Sequence, residues 1–451
     1  MSNESTNPKK RRSPLGVIFL TLFLDLVGFS IIFPLFPAML NFYLEQEHGY
    51  ALLSGLLDVL HSISGTQPDG STPNPQVIAL FGGVLGGLYS LLQFVCAPFW
   101  GSLSDRVGRR RVLLVTVAGI ALSYALWFVS GSFTLLVVAR ILGGIMSGNI
   151  AAATAAVADV TTGENRAKGM GMVGAAFGLG FILGPAIGGG LSLFDLSEHF
   201  PSLTSIGANP FSTAAGGAML LSLLNLLWIY RRFDETLSVE DRSKAQSERR
   251  SINPIRLLRG VDLPGVDRGN LTNFLFIFSF SGMEFSLMFL AAERFGFGPG
   301  GNALLLSFAG VTMALVQGGL IRRLAPRYGE VRLATAGLAI IIPGLLLTGF
   351  ARSVGMLYFG VFVMAIGAAT VIPSLRALVS RYAPTERQGE VLGVFASLGS
   401  LARAAGPLVA GALYWRFSSE VAYCAGAAII ILPLLLTFGL PRPATKEPQA
   451  S

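Results

Sequence analysis

Gly101-Ser102-Leu103-Ser104-Asp105-Arg106-Val107-Gly108-Arg109-Arg110-Arg111 packs four arginines and one acid between two apolar stretches, at about 77–99 and 112–130. Each flank approaches the ~20 residues that a helix needs to cross a bilayer. The run therefore reads as a tight loop joining two membrane spans, with Gly101 and Gly108 allowing close backbone approach. A short basic loop stays cytoplasmic whatever else it does. Retention asks only for positive charge, though. It does not ask for the spacing Gly-x-Leu-x-Asp-Arg-x-Gly-Arg-Arg.

The same alternation of apolar spans and basic loops runs the length of the 451-residue chain. An all-α membrane protein with twelve spans is expected, at about 15–41, 77–99, 112–130, 133–158, 168–190, 212–231, 270–291, 301–321, 332–351, 354–380, 388–415 and 420–440. Only 13% of residues are charged and 52% are apolar, about half the charge fraction of a soluble domain. Of the 33 lysines and arginines, all but six lie at the chain ends or in every second loop. Arg294, Arg352 and Arg416 fall in the opposite loops, and Arg140, Arg376 and Arg403 inside spans. This asymmetry places both termini in the cytoplasm, in a plasma membrane or bacterial inner membrane. It also accounts for the net charge of +8 as topology, so no nucleic acid is expected as a partner.

The apolar run after Lys9-Lys10-Arg11-Arg12 looks at first like a secretory signal. It continues to about Leu40 through Asp25, Pro34 and Pro37, so it reads as a retained first span. No P-loop, catalytic triad or metal-ligand spacing appears, and Cys96 and Cys424 lie in separate apolar runs. An enzyme, a cofactor and a metal site are therefore not expected. The expected division is a tail at 1–14, a six-span bundle at 15–232, a charged linker at 233–268, a second bundle at 269–441 and a tail at 442–451. The linker reads as helical near 240–250, and the long acidic loop 43–76 contains a semi-apolar piece, 51–63, suited to a short interfacial helix.

The two halves echo one another. Gly101-x-Leu103-x-Asp105-Arg106 returns as Gly318-x-Leu320-x-Arg322-Arg323 at an offset of 217, and Gly184-Pro185 as Gly406-Pro407 at 222. In the fifth span Gly180, Gly184 and Gly188 recur every fourth residue, a flat face for close helix packing, with Pro185 and Gly189 beside it. The intramembrane acids are Asp25 and Glu284, in equivalent spans of the two halves. An ionised carboxylate in hydrocarbon is costly, so such groups face water or a partner and are candidates to bind and release protons. The counter-charges are Arg140, Arg376 and Arg403. Structural pairing remains an alternative for each of these groups.

The loop motif, with Gly101, Asp105, Arg106, Gly108 and Arg109, resembles that between the second and third spans of the major facilitator superfamily. Gly180-x-x-x-Gly184-Pro185-x-x-Gly188-Gly189 is similar to the signature of its antiporter branches, and Arg140-Ile-Leu-Gly-Gly to its fourth-span motif. Leu24-Asp25-Leu26-Val27-Gly28-Phe29, Gln93-Phe94-x-Cys96-Ala97-Pro98, Ala158-Asp159-Val160-Thr161 and Glu386-Arg387-Gln388-Gly389 look like the tetracycline/proton antiporters. The seventh span and Arg403-Ala404-Ala405-Gly406-Pro407 resemble the animal tetracycline-transporter-like proteins, which implies organic anions as cargo.

The resemblance implies two pseudo-symmetric six-helix halves around a central cavity. It implies a cytoplasmic gate at the loop motif, proton coupling through Asp25, Glu284 and Arg140, and export of a lipophilic or amphipathic molecule. Arg403, Arg376, Phe285, Met283, Gln93 and Gln317 are the expected cavity residues. Ser123 and the apolar run at 340–342 stand where the tetracycline exporters carry aspartates, so the handling of a metal–tetracycline complex is not implied. The implied partners are the bilayer, a small-molecule substrate and protons, with the protein acting as a monomer. A facilitator without proton coupling, and a transporter-derived sensor that moves nothing, stay open at this point.

Overall fold

The computed structural model describes residues 14–46, 55, 75–161, 164–237, 263–384 and 388–441. Twelve helices in it are long and apolar enough to cross a membrane. In chain order they are α1 (Leu15–Gln46), α2 (Gly82–Val107), α3 (Arg109–Phe128), α4 (Phe133–Asp159), α5 (Met172–His199), α6 (Ser212–Arg232), α7 (Val266–Phe295), α8 (Pro299–Ile321), α9 (Glu330–Gly349), α10 (Val354–Tyr382), α11 (Val391–Arg416) and α12 (Ser419–Thr437). Each expected span has its helix. The helices expected at 51–63 and 240–250 lie outside the described residues.

Besides α5, whose long helix ends at Leu191 before the short turn Leu196–His199, three spans are not continuous α-helix, and each has a local cause. In α1 the proline Pro34, with no amide hydrogen to donate, sits in a single tight turn at Phe33–Leu35. In α4 the helix stops at Met146 and resumes at Asn149, where Gly148 lies against the Trp100 side chain of α2. The break frees the Ile145 carbonyl, and the Trp100 indole N–H donates to it at 2.6 Å. In α8 the last turns, Val316–Ile321, widen to π-helix around Gly318 and Gly319.

Within the first half α1 packs on α5 and α6, α3 on α4 and α6, and α2 on α4; within the second, α7 packs on α11 and α12, α9 on α10 and α12, and α8 on α10. The halves meet along α2–α11 and α5–α8, with α7 touching α2. The closest approaches lie toward the end opposite the basic loop. Gly83 and Gly87 of α2 face the backbone of α11 at the Pro407 and Ala404 carbonyls, and Gly189 of α5 faces Ala303 of α8. Toward the basic end Gly101, Gly318, Gly319 and Gly393 face open space.

The internal repeat is visible in the caps. Gly108 precedes α3 with φ 110° and Gly329 precedes α9 with φ 78°, both in the region that favours glycine, at an offset of 221. Ser132 and Ser353, at the same offset, cap α4 and α10 through their side-chain oxygens. The echo at 217 is thus four residues out of step with the structural repeat. The segment of α8 leading to Gly329 is longer than its counterpart by about one helical turn, and the π-turn lies within it.

Candidate functional site

The basic loop folds around Arg109, which is buried. Gly108 turns the chain between α2 and α3, so Arg109 opens α3 one turn beyond Asp105, which lies in the last turn of α2. Its guanidinium contacts Asp105 at 2.6 Å and the Ser104 hydroxyl at 2.6 Å, and its Nε donates to Asp159 at the foot of α4 at 2.9 Å. The first amides of α3, which have no acceptor within the helix, donate to the Glu235 carboxylate, from Arg109 at 2.9 Å and Arg110 at 3.3 Å. An acid there complements the positive end of the helix. Arg106 stands partly exposed beside the cluster. Asp159 was legible only as part of a resemblance, and nothing local to Glu235 marks it as a cap.

The spaced glycines of α5 lie against the break in α1. Gly180 abuts Leu26, Gly184 abuts Ser30 and the Val27 carbonyl, and Gly188 abuts the Ile31 carbonyl. The Ser30 hydroxyl donates to the Gly180 carbonyl at 2.8 Å, which ties the two helices at the same level. Pro185 is buried within this helix, and Gly189 faces the second half.

Two charged clusters lie deeper. In the first half Asp25 and Arg140 are 8% and 6% exposed. The Arg140 guanidinium lies 4.7 Å from the centre of the Tyr89 ring, a cation–π contact, and its Nε has no hydrogen-bond partner among the described residues. Asn149, just after the break in α4, lies beside Asp25, and Tyr89 and Tyr124 lie within electrostatic range of both charges. The two tyrosines and Asn149 were not anticipated. They are reached from α2, α3 and α4, so no single stretch displays them together.

In the second half Glu284 of α7, Arg403 of α11 and Arg376 of α10 form the other cluster. Glu284 and Arg403 interact without a contact ion pair among the described residues, and the two arginines lie close enough to repel. Arg403 donates from Nη2 to the Ser400 hydroxyl at 3.1 Å. Arg376 reaches α5 of the other half, where its Nη1 lies 3.1 Å from the place a side chain on Gly174 would take.

The expected cavity residues divide. Gln93 of α2 and Gln317 in the π-turn of α8 are partly exposed. Met283 is buried against Gly426 of α12, and the Tyr423 hydroxyl donates to its carbonyl at 2.9 Å. Phe285 is buried in the contact between the halves, its ring 5.5 Å from that of Phe36 and 5.2 Å from that of Phe289. In this arrangement both are buried, whereas Gln93 and Gln317 keep some exposure. Successive helix residues point about 100° apart, so when Glu284 is partly exposed its two neighbours are turned aside.

The notch that receives Phe285 was not foreseen either. Gly82 and Gly86 leave space on α2 that the rings of Phe285 and Phe289 fill, while Gly83 and Gly87 turn the adjacent face to α11. Phe81-Gly82-Gly83-Val84-Leu85-Gly86-Gly87 carries the signal as paired glycines four apart.

A family profile described as Major Facilitator Superfamily matches residues 18–340 and 320–451. The chain is 36% identical to "Major facilitator superfamily domain-containing protein 10" of Homo sapiens, over 97% of this chain and 95% of that one. It is 30% identical to "Tetracycline resistance protein, class C" of Escherichia coli, over 94% and 96% of the two chains. The crystal structure of the human organic anion transporter MFSD10 (TETRAN) superposes with a TM-score of 0.74 at 34% identity, covering 96% of this chain and all of that one.

Proposed function

The chain belongs to the major facilitator superfamily, and from that premise we propose that it is a proton-coupled antiporter exporting amphipathic organic molecules, with organic anions as the favoured class. Both termini lie in the cytoplasm, of a plasma membrane or bacterial inner membrane, and one chain suffices for transport. The observation that carries the reading is the cluster of Glu284, Arg403 and Arg376 on three helices of the second half. Its fixed charge is positive in excess, which favours an anionic guest. Glu284 supplies an acid whose charge state governs how much of that excess a guest meets. Asp25, buried beside Arg140, is the second proton candidate. The likeness to an organic anion transporter and to a tetracycline resistance protein supports a charged or amphipathic cargo.

Coupling requires that proton and substrate favour opposite states of the carrier. In the expected cycle the halves part at the Gly82–Gly87 end as they close at the Arg109 end, where Asp105 acts as the gate. The test uses purified protein in liposomes and naphthalenesulfonate, a permanently anionic aromatic probe. The wild type accumulates the probe against its gradient when protons flow down theirs in the opposite direction. Glu284→Gln abolishes that accumulation but preserves exchange at equal pH. Driven accumulation by Glu284→Gln moves the proton site to Asp25, and driven accumulation by Asp25→Asn as well removes proton antiport.

A further inference from the structure

Gly399 lies on α11 one turn before Arg403, on the side turned to α7. A side-chain carbon placed there would sit 3.7 Å from Asn273 Nδ2, 3.8 Å from Arg403 Nη1 and 3.6 Å from Ile277 Cδ1. The bare glycine therefore leaves a niche the size of about a methyl group between two nitrogen donors and one apolar wall. Asn273 is 2% exposed, and its Nδ2 has no hydrogen-bond partner among the described residues. A buried amide N–H without a partner is costly, and a guest oxygen at this spot would recover that cost.

The arginine is prepared for the same guest. Its Nη2 edge is held by Ser400 at 3.1 Å, which leaves Nη1 directed at the niche. Glu284 does not close a contact pair with it among the described residues, and Arg376 adds a second positive charge nearby.

We infer that Gly399, Asn273 and Arg403 form the seat for the anionic head of the substrate, accepting a carboxylate or sulfonate between the amide and guanidinium donors. The inference rests on the organic-anion reading above and adds to it the residues that set the preference for charge. Asn273 and Gly399 are the new members; the sequence marks neither. One oxygen of the guest's head group takes the donors, and its apolar body passes Ile277. An anionic head there also screens the two arginines from one another.

The experiment measures binding of naphthalenesulfonate and of the neutral naphthalenesulfonamide to the full chain in nanodiscs. The two probes share the ring and differ in charge. Wild type prefers the sulfonate. Asn273→Ala reduces that preference roughly tenfold, as for loss of one hydrogen bond to a charged group, and leaves sulfonamide binding intact. Gly399→Ala does the same by filling the niche. Its methyl group meets neighbours only at ordinary contact distance, and alanine favours a helix over glycine, so the variant folds. Arg403→Ala abolishes the preference, and Asn273→Asp turns it toward the neutral probe. A preference unchanged in both Asn273→Ala and Gly399→Ala, with melting temperatures as in wild type, overturns the niche while leaving organic-anion transport standing. No preference in the wild type overturns the organic-anion reading and the niche with it.

Discussion

Arg109 shows how much one side chain carries at the basic end of this protein. Its guanidinium is buried and shared between Asp105 and Asp159, with the Ser104 hydroxyl as a third partner. Removing one partner of a buried pair leaves charge uncompensated, at a cost of about 3–5 kcal/mol. Because both acids here keep some exposure, Arg109→Ala is expected to lower stability by about 3 kcal/mol, seen in thermal unfolding of the detergent-solubilised protein. Arg109→Lys recovers only part, since an ammonium cannot reproduce the planar fork. Asp105→Asn spares the fold but slows transport while substrate binding survives. Wild-type turnover in Asp105→Asn would remove this cluster from the gate. The sequence made Asp105 and Arg109 conspicuous through spacing. Asp159 and Glu235, some 50 and 126 residues along, are paired with Arg109 only by the fold.

At the scale of the element, α2 is the helix on which the halves close. Four glycines give it two narrow faces, one filled by the α7 rings and the other laid against the α11 backbone. Such fits are specific to one arrangement, because a helix without side chains gains contact only when its neighbour comes close. The Phe285 ring bridges Phe36 of the first half and Phe289 of its own helix. Phe285→Ala empties the notch, a change that in packed interiors costs about 3–5 kcal/mol. Here the loss falls on the state in which this end is closed, so the equilibrium moves toward the opposite opening. Spin labels on Ser202 and Arg352, exposed residues at this end of the two halves, are expected to show a larger long-distance population in Phe285→Ala. An unchanged distribution would count against the notch as a seal.

For the whole molecule, the repeat keeps geometry and changes chemistry. Arg109 of α3 pairs with Asp159 of α4, and at offsets of 221 and 222 Glu330 of α9 pairs with Arg381 of α10 at 2.7 Å. The same two helices are tied at the same end with the signs reversed. At the other end the substitution is of neutral for charged groups. Tyr43 and Asn209 meet the Ser130 carbonyl in the first half, whereas Arg294 meets the Gly349 and Ala351 carbonyls and Glu420 in the second. Orientation in the membrane follows from charge. With Cys96 and Cys424 replaced by serine, a cysteine at Ser202 is expected to react with an impermeant thiol reagent in intact cells, and one at Arg111 only after the cells are opened. The reverse pattern would invert the topology.

Twelve spans, a repeat of six and the superfamily were legible without coordinates, because a bilayer imposes its thickness on every span separately and hydropathy records it locally. The basic loop and the intramembrane charges were legible for the same reason: each is unusual where it stands. Direction was not legible. Glu284 stands out in the sequence as an acid in an apolar run, but nothing in it shows that its neighbour Met283 turns to α12 and Phe285 to Phe36 of the first half. The pairing of Gly399 with Asn273, of Trp100 with Ile145 and of α2's glycines with two different helices depends on how each helix is rotated about its axis. That rotation is set by packing against helices distant in sequence, so it is decided only in the tertiary structure.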